Sequence, residues 1–210
     1  MRIIAGKFRR RLLQTSPGEV TRPITDRVKE TLFENMSQRF LGKRVADVFA
    51  GTGTIGLEAL SRGAACVTFI EKDKVALQLL RENIATLKCE AEALIWPADV
   101  MRCSFRPKGK KASGFAPFDV IFFDPPYKMI PVMKAGSPLW LSLSRLARTE
   151  VSSPGATLVL RVPERTEYDL PPQWKIDWAL EMSNMQILLC HRDHIENAPA
   201  DPASSSCPPA

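Results

Sequence analysis

At 210 residues, 45% of them hydrophobic and 25% charged, the chain can build one sizeable domain, and its composition is neither disordered nor fibrous. It has no apolar run of the ~18 residues a membrane helix needs, and its N-terminus lacks the apolar stretch of a secretory signal, so a cytoplasmic protein without a membrane partner is expected. The net charge is +6, but residues 1–44 hold eleven Lys and Arg against four Asp and Glu, a localised basic segment that points to nucleic acid.

Residues 1–24 set short apolar pieces among arginines, and Gly6 and Pro17-Gly18 mark turns. A small basic hairpin or arm is predicted here. Its candidate nucleic-acid contacts are Arg2, Lys7, Arg9, Arg10 and Arg11, with Arg27 just beyond. Residues 25–194 read as a single α/β domain. Thr25 and Asp26 suit the start of a helix, with Val28, Leu32, Met36 and Phe40 on one face and Gly42 as its stop.

Strand 44–50 leads straight into Gly51-Thr52-Gly53-Thr54-Ile55-Gly56 and a helix over 57–63. This is G-x-G-x-x-G in a strand–turn–helix setting, where glycines permit a tight turn and close approach by a nucleotide-like ligand. Strand 65–71 ends at Glu71, twenty positions past Gly51, where a carboxylate can accept from both hydroxyls of a ribose. The following helix carries Leu77, Leu80, Ile84 and Leu87 on one face, and Asn83 is expected on the polar surface. Strand 92–98 is followed by Asp99, placed to accept from an adenine amine, to N-cap a helix before Val100-Met101, or both. Residues 107–114 form a basic loop open to phosphate or to solvent.

Phe118 to Phe123, apolar but for Asp119, reads as a buried strand, and the prolines after Asp124 end it. Asp124 therefore stands at the carboxyl end of a strand, where open α/β sheets bind ligands. The lone pair of a nucleobase amine is delocalised into its ring. Two acceptors gripping its hydrogens would localise that pair, and the Asp124 carboxylate and the Pro125 carbonyl are placed to do so. Pro126 stiffens the turn, and Tyr127 can stack on a base taken out of its helix. A helix over 139–149, a strand over 156–162 and an antiparallel pair over 174–180 and 185–190 complete a seven-stranded Rossmann-like sheet. Trp140, Trp174 and Trp178 read as packing. Pro, Ala and Ser dominate 195–210, and a disordered tail is expected there. The five cysteines never form C-x-x-C, and no acidic or cysteine cluster accompanies His191 and His194, so no metal is expected.

A glycine loop with a downstream acid suits a dinucleotide enzyme or an S-adenosylmethionine enzyme. Asp124-Pro125-Pro126-Tyr127 decides for the second, since hydride transfer has no use for an amine clamp. The stretches 1–9, 21–30, 47–53, 56–64 and 124–127 together resemble the bacterial 16S ribosomal RNA guanine-N2 methyltransferases of the small-subunit methylase D type. The resemblance implies a class I methyltransferase fold, S-adenosylmethionine as donor, and 16S rRNA as partner, with guanine 966 the family's usual target. It makes Asp124, Pro125, Pro126 and Tyr127 catalytic. It makes Asp47, Gly51, Gly53, Glu71 and Asp99 cofactor positions, joined by Phe49, Ala50, Thr52, Gly56, Lys72 and Val100. Arg22, Thr25 and Arg27 would flank the donor's methionine end. A monomer acting on RNA, free or in a partly assembled small subunit, is expected. An adenine-N6 or other amino methyltransferase is the alternative, and a non-catalytic RNA-binding protein is a weaker one. The chain departs from the family in having Arg9-Arg10-Arg11 where Arg-Gly-Arg is usual, in its basic 107–114 loop, and in a fifth strand without the acidic end often seen.

Overall fold

A computed structural model describes residues 1–15, 26–36, 39–182 and 184–193. The expected roles of Arg22 and Thr25, and the tail over 195–210, lie outside these residues. Strands β1 (Arg44–Val48), β2 (Cys66–Glu71), β3 (Ala93–Pro97), β4 (Phe118–Phe123), β5 (Ser152–Pro163), β6 (Trp174–Met182) and β7 (Met185–Arg192) form one sheet in the order β3-β2-β1-β4-β5-β7-β6. The first five are parallel, and β7 runs antiparallel between β5 and β6. The chain thus forms the expected seven-stranded α/β sheet. Strand order reverses between β1 and β4, and such a switch point opens a crevice at the carboxyl ends of the strands.

The central strands are apolar on both faces because helices cover both. Val120 and Phe122 of β4 point into one core, with α1 (Asp26–Asn35), α2 (Thr54–Ser61), α3 (Lys74–Leu87) and the arm. Ile121 and Phe123 point into the other, with α4 (Pro138–Leu146) and Trp174. Trp174 is packing, as expected, and its ring N–H donates to the Leu143 carbonyl at 2.9 Å. Helix α1 stops seven residues before Gly42, the stop that the apolar spacing suggests. The Asn35 side-chain amide donates to the Thr31 carbonyl in the last turn, a local bond that competes with continued helix. Phe40 still reaches the core, its ring centre 4.9 Å from that of Phe33.

The arm is a tight hairpin that belongs to the first core. Ile3 and Leu13 are buried in it, Arg2 bridges Leu12, and the Arg10 N–H donates to the Ile3 carbonyl. Its turn docks on the last turn of α2, where the Lys7 and Phe8 N–H groups donate to the Ser61 carbonyl and hydroxyl. Gly6 is required there. Its φ is +85°, and a Cβ would stand 1.8 Å from the Ser61 carbonyl oxygen.

Candidate active site

A cavity of ≈ 470 Å³ lies at the carboxyl ends of β1, β2 and β4, within the size range of small-molecule sites. Most of the expected residues meet on its wall: Asp47, Phe49, Ala50, Gly51 and Thr52 from the first strand and loop, Glu71 and Lys72 after β2, Asp99 and Val100 after β3, and Asp124 to Tyr127 after β4. Gly53 and Gly56 do not reach it. Their missing side chains are demanded by packing: a Cβ on Gly53 would lie 2.4 Å from Leu80 Cδ1, and one on Gly56 2.4 Å from Phe69 Cε1. They bring α2 and α3 close to the sheet, and the loop's approach to a ligand falls to Gly51 and Thr52.

Three carboxylates are held by backbone donors. Glu71 accepts from Gly51 N–H at 2.9 Å with one oxygen and from Lys72 and Asp73 N–H with the other, tying the end of β2 to the glycine turn. Asp99 accepts from Met101 N–H at 3.0 Å and from Lys72 Nζ at 3.3 Å. These donors, the backbone one first, hold it below the ordinary carboxylate range. It caps a turn and not a helix. Asp47 is almost fully buried and accepts from Gly56 N–H at 2.8 Å. Burial pushes it up to about 8 against that bond, with Asp124 and Glu71 adding repulsion.

Asp124 continues β4 by one residue, its N–H donating to the Val48 carbonyl. Its two carboxylate oxygens accept from Arg161 Nε at 2.8 Å and Nη2 at 2.7 Å, a bidentate pair. Burial raises the Asp124 carboxyl and the guanidinium opposes that rise. Pro125 is buried, and Pro126 leads into a 3₁₀ turn at Tyr127–Met129. The Tyr127 ring centre lies 5.5 Å from the Arg161 guanidinium carbon, and its hydroxyl donates to Met185 Sδ at 3.6 Å.

Residues 1–177 match the family Conserved hypothetical protein 95. The Haemophilus influenzae ribosomal RNA small subunit methyltransferase D is 37% identical over 180 residues, 86% of each chain. The chain belongs to this methyltransferase D family. The solved structure of Escherichia coli yhhF superposes with a TM-score of 0.74 at 30% identity, covering 92% of this chain and 98% of that one. The fold extends to an RNA methyltransferase from Salinibacter ruber solved with S-adenosyl-L-homocysteine, at TM-score 0.60 and 16% identity, covering 86% of this chain and 98% of that one.

Two members of the expected basic set have protein partners. Arg2 pairs with Asp26 at 3.0 Å and Lys7 with Glu92 at 2.7 Å, while Arg9, Arg10, Arg11 and Arg27 are exposed. The hairpin fold puts Arg9 and Arg10 at the far end of α2 from the glycine turn, and Met1 and Thr15 at the cavity instead. The 107–114 loop also lies away from the cavity. It precedes β4, and the Cys66 thiol at the start of β2 donates to the Gly114 carbonyl.

Three buried polar residues are not anticipated by the sequence patterns above. Asn83 is 1% exposed, not surface: its Oδ1 accepts from Gln14 N–H at 2.7 Å, and its Nδ2 donates to the Gln14 and Thr52 carbonyls, both at 3.0 Å. It thereby joins arm, α3 and glycine turn. Lys29 is buried against Glu58, and Arg161 against Asp124. Among the described residues no group of three or more His, Cys, Asp or Glu could hold a metal ion, and no helix is long and apolar enough to cross a membrane.

Proposed function

We propose that the chain transfers a methyl group from S-adenosylmethionine to the exocyclic N2 amine of a guanine in small-subunit ribosomal RNA. The observation that carries this reading is that Asp124-Pro125-Pro126-Tyr127 shares one cavity wall with Gly51, Glu71 and Asp99. Family membership supports rRNA as the substrate class, and the S-adenosyl-L-homocysteine in the Salinibacter ruber relative of the same fold supports the donor.

The cavity fits that donor chemically. Glu71 and Asp99 offer acceptors to ribose hydroxyls and an adenine amine, Ile70, Val100 and Met101 offer apolar surface to a flat ring, and the carboxylates favour a cation. When bound, S-adenosylmethionine supplies a methyl group made electrophilic by its sulfonium. The chain's own residues do the rest. Asp124 accepts one hydrogen of the target amine and the Pro125 carbonyl the other, which localises the nitrogen lone pair. Tyr127 gives the base a stacking face. Most of the acceleration comes from this orientation, and Asp124 or water takes the proton that the methylated amine sheds. The exposed arginines of the hairpin turn, distant from the cavity, would hold flanking phosphates and not the target base.

The test is tritium transfer from labelled S-adenosylmethionine to 16S rRNA and to small subunits lacking their own methylations, followed by digestion to nucleosides. Label in N2-methylguanosine is expected. Label in N6-methyladenosine would keep the amine clamp and overturn the target. Absence of label in any RNA, with donor still bound, would overturn the reading.

A further inference from the structure

Arg161 stands near the end of β5, one step beyond the Phe123–Leu160 pair that registers β5 on β4, and this sets its head against Asp124. It is only 9% exposed. Two of its guanidinium nitrogens hold the carboxylate. The third, Nη1, is buried and has no hydrogen-bond partner among the described residues. An orphaned donor on a buried cation needs an explanation, because native structures satisfy nearly all such groups. Beside the pair is a recess of ≈ 10 Å³ whose other walls, among them Leu32, Phe122, Val159 and Ile187, are apolar. It supplies no acceptor. Arg161 also shares the wall of the main cavity with Asp124 and Tyr127, and Nη1, which has no open surface, is reached from there only as that wall gives way.

We propose that Arg161 presents the target base to Asp124: Nε and Nη2 fix the carboxylate, and Nη1 donates to the ring nitrogen next to the amine. The inference rests on the methyl-transfer reading above. Guanine's N2 amine stands between N1, which carries a hydrogen, and N3, a bare acceptor; in adenine the ring nitrogen beside N6 is N1, also an acceptor. A donor beside the carboxylate that grips the amine therefore selects the orientation that turns the acceptor nitrogen towards it. The Arg161 cation also lies near the Tyr127 ring, so a single side chain links the clamp to the stacking surface. Arg161 contacts substrate through Nη1 and positions Asp124 through its other two nitrogens.

The test compares wild type with R161K and R161M in methyl transfer to the RNA that wild type labels, with donor affinity measured separately by calorimetry. R161M should lower kcat/KM for RNA by about 10- to 100-fold, as removal of one or two charge-assisted bonds does, with donor affinity within about threefold of wild type. Among the described residues, the charged and titratable groups around Asp124 are Arg161 from β5, Asp47 from β1 and, across Arg161, Tyr127 after β4. Without the guanidinium, the acid limb of the kcat profile should move to higher pH. R161K should return that limb towards wild type and leave kcat/KM low, since a lone ammonium cannot hold the carboxylate and meet the base together. Wild-type kcat/KM in R161K would overturn the Nη1 bond to the base, as would a fall in donor affinity as large as the fall in RNA kcat/KM. An unmoved acid limb in R161M would overturn the hold on Asp124. If R161M does not fold, R161K decides alone through its kcat/KM. A wild type that labels no RNA sinks the methyl-transfer reading and this inference with it, while label on another base amine corrects the target and leaves the Arg161 comparison intact.

Discussion

Glu58 and Asp124 both sit in the interior opposite a cation, one under the arm and the other at the cavity wall. Glu58 and Lys29 have fully buried side chains, 3.4 Å apart at Nζ and Oε2. Every charge there has company: Glu58 also accepts from Ile4 N–H, Ala5 N–H and Arg62 Nε, and Lys29 also donates to the Arg2 carbonyl. Among the described residues Asp124 has one cationic partner, and that partner keeps a nitrogen unpaired. A buried pair in which both charges have further partners is a fastening, here of the arm to α1 and α2. A buried pair with a donor left over, on a cavity wall, is poised for something that arrives later. On the function proposed above, the same physics, desolvation offset by hydrogen bonds, serves structure in one place and chemistry in the other.

Similar responses from the two carboxylates would break this contrast. Asp124→Asn keeps an acceptor and loses the charge. Its kcat should fall by on the order of 10²-fold or more, with donor affinity within about twofold. Equal falls in turnover and donor affinity, measured by methyl transfer and calorimetry, would end the distinction. Glu58→Gln should do the reverse. Breaking a buried pair leaves Lys29 uncompensated, which costs about 3–5 kcal/mol, read as a lower urea midpoint. Burial already pushes the Lys29 ammonium below its ordinary range against the pull of Glu58. The folded Glu58→Gln protein should retain its turnover per molecule.

Asp47 sharpens the contrast because it is a buried carboxyl with a backbone donor and no cation among its bonds. Its folded value of about 8 lies above its ordinary 3.8. From the lower value upward the unfolded chain gives up this proton while the folded chain keeps it, so folding binds a proton and stability falls as pH rises. Above about 8 both states are ionised and the dependence stops. Asp47→Asn removes this dependence. Relative to wild type, the variant should therefore gain up to about 1.4 kcal/mol per pH unit between about pH 5 and pH 7. Urea midpoints at the two pH values, without donor, check the sign; a gain towards acid would refute it.

These buried partners also mark what could be read before the fold was known. Strands and turns were legible because β4 is apolar but for Asp119 and is ended by prolines, and because the glycine loop sits between strand and helix. Pairing across the sheet was not, since Arg161 meets Asp124 only through the β4–β5 register, though a lone charge inside an apolar strand was a visible signal. Asn83 was legible too and was misjudged. It lies three residues after Leu80 and four before Leu87, on the apolar stripe of α3, so helical spacing already placed it in the core. Lys29 carried the same signal, three residues before Leu32 and four before Phe33 on the buried face of α1. The loop glycines show the converse: their spacing was right, but Gly53 and Gly56 answer to Leu80 and Phe69 instead of to a ligand.

The smallest effect separates paired from exposed basic residues in the arm. Arg9, Arg10 and Arg11 are exposed at the hairpin turn, while Lys7 has Glu92 as a partner. Changing the three arginines to alanine should leave the urea midpoint nearly unchanged, within about 0.5 kcal/mol, because exposed positions contribute little to folding. It should lower the slope of log affinity for RNA against log salt by up to about 2, since each phosphate no longer neutralised takes about 0.7 off the slope on single-stranded RNA. Lys7→Ala should change that slope by less than a single arginine does, because Glu92 already competes for its charge. Filter binding at several salt concentrations measures both. An equal effect of Lys7→Ala and of any one arginine would mean that the ion pair opens on RNA, and that the hairpin presents its whole basic edge.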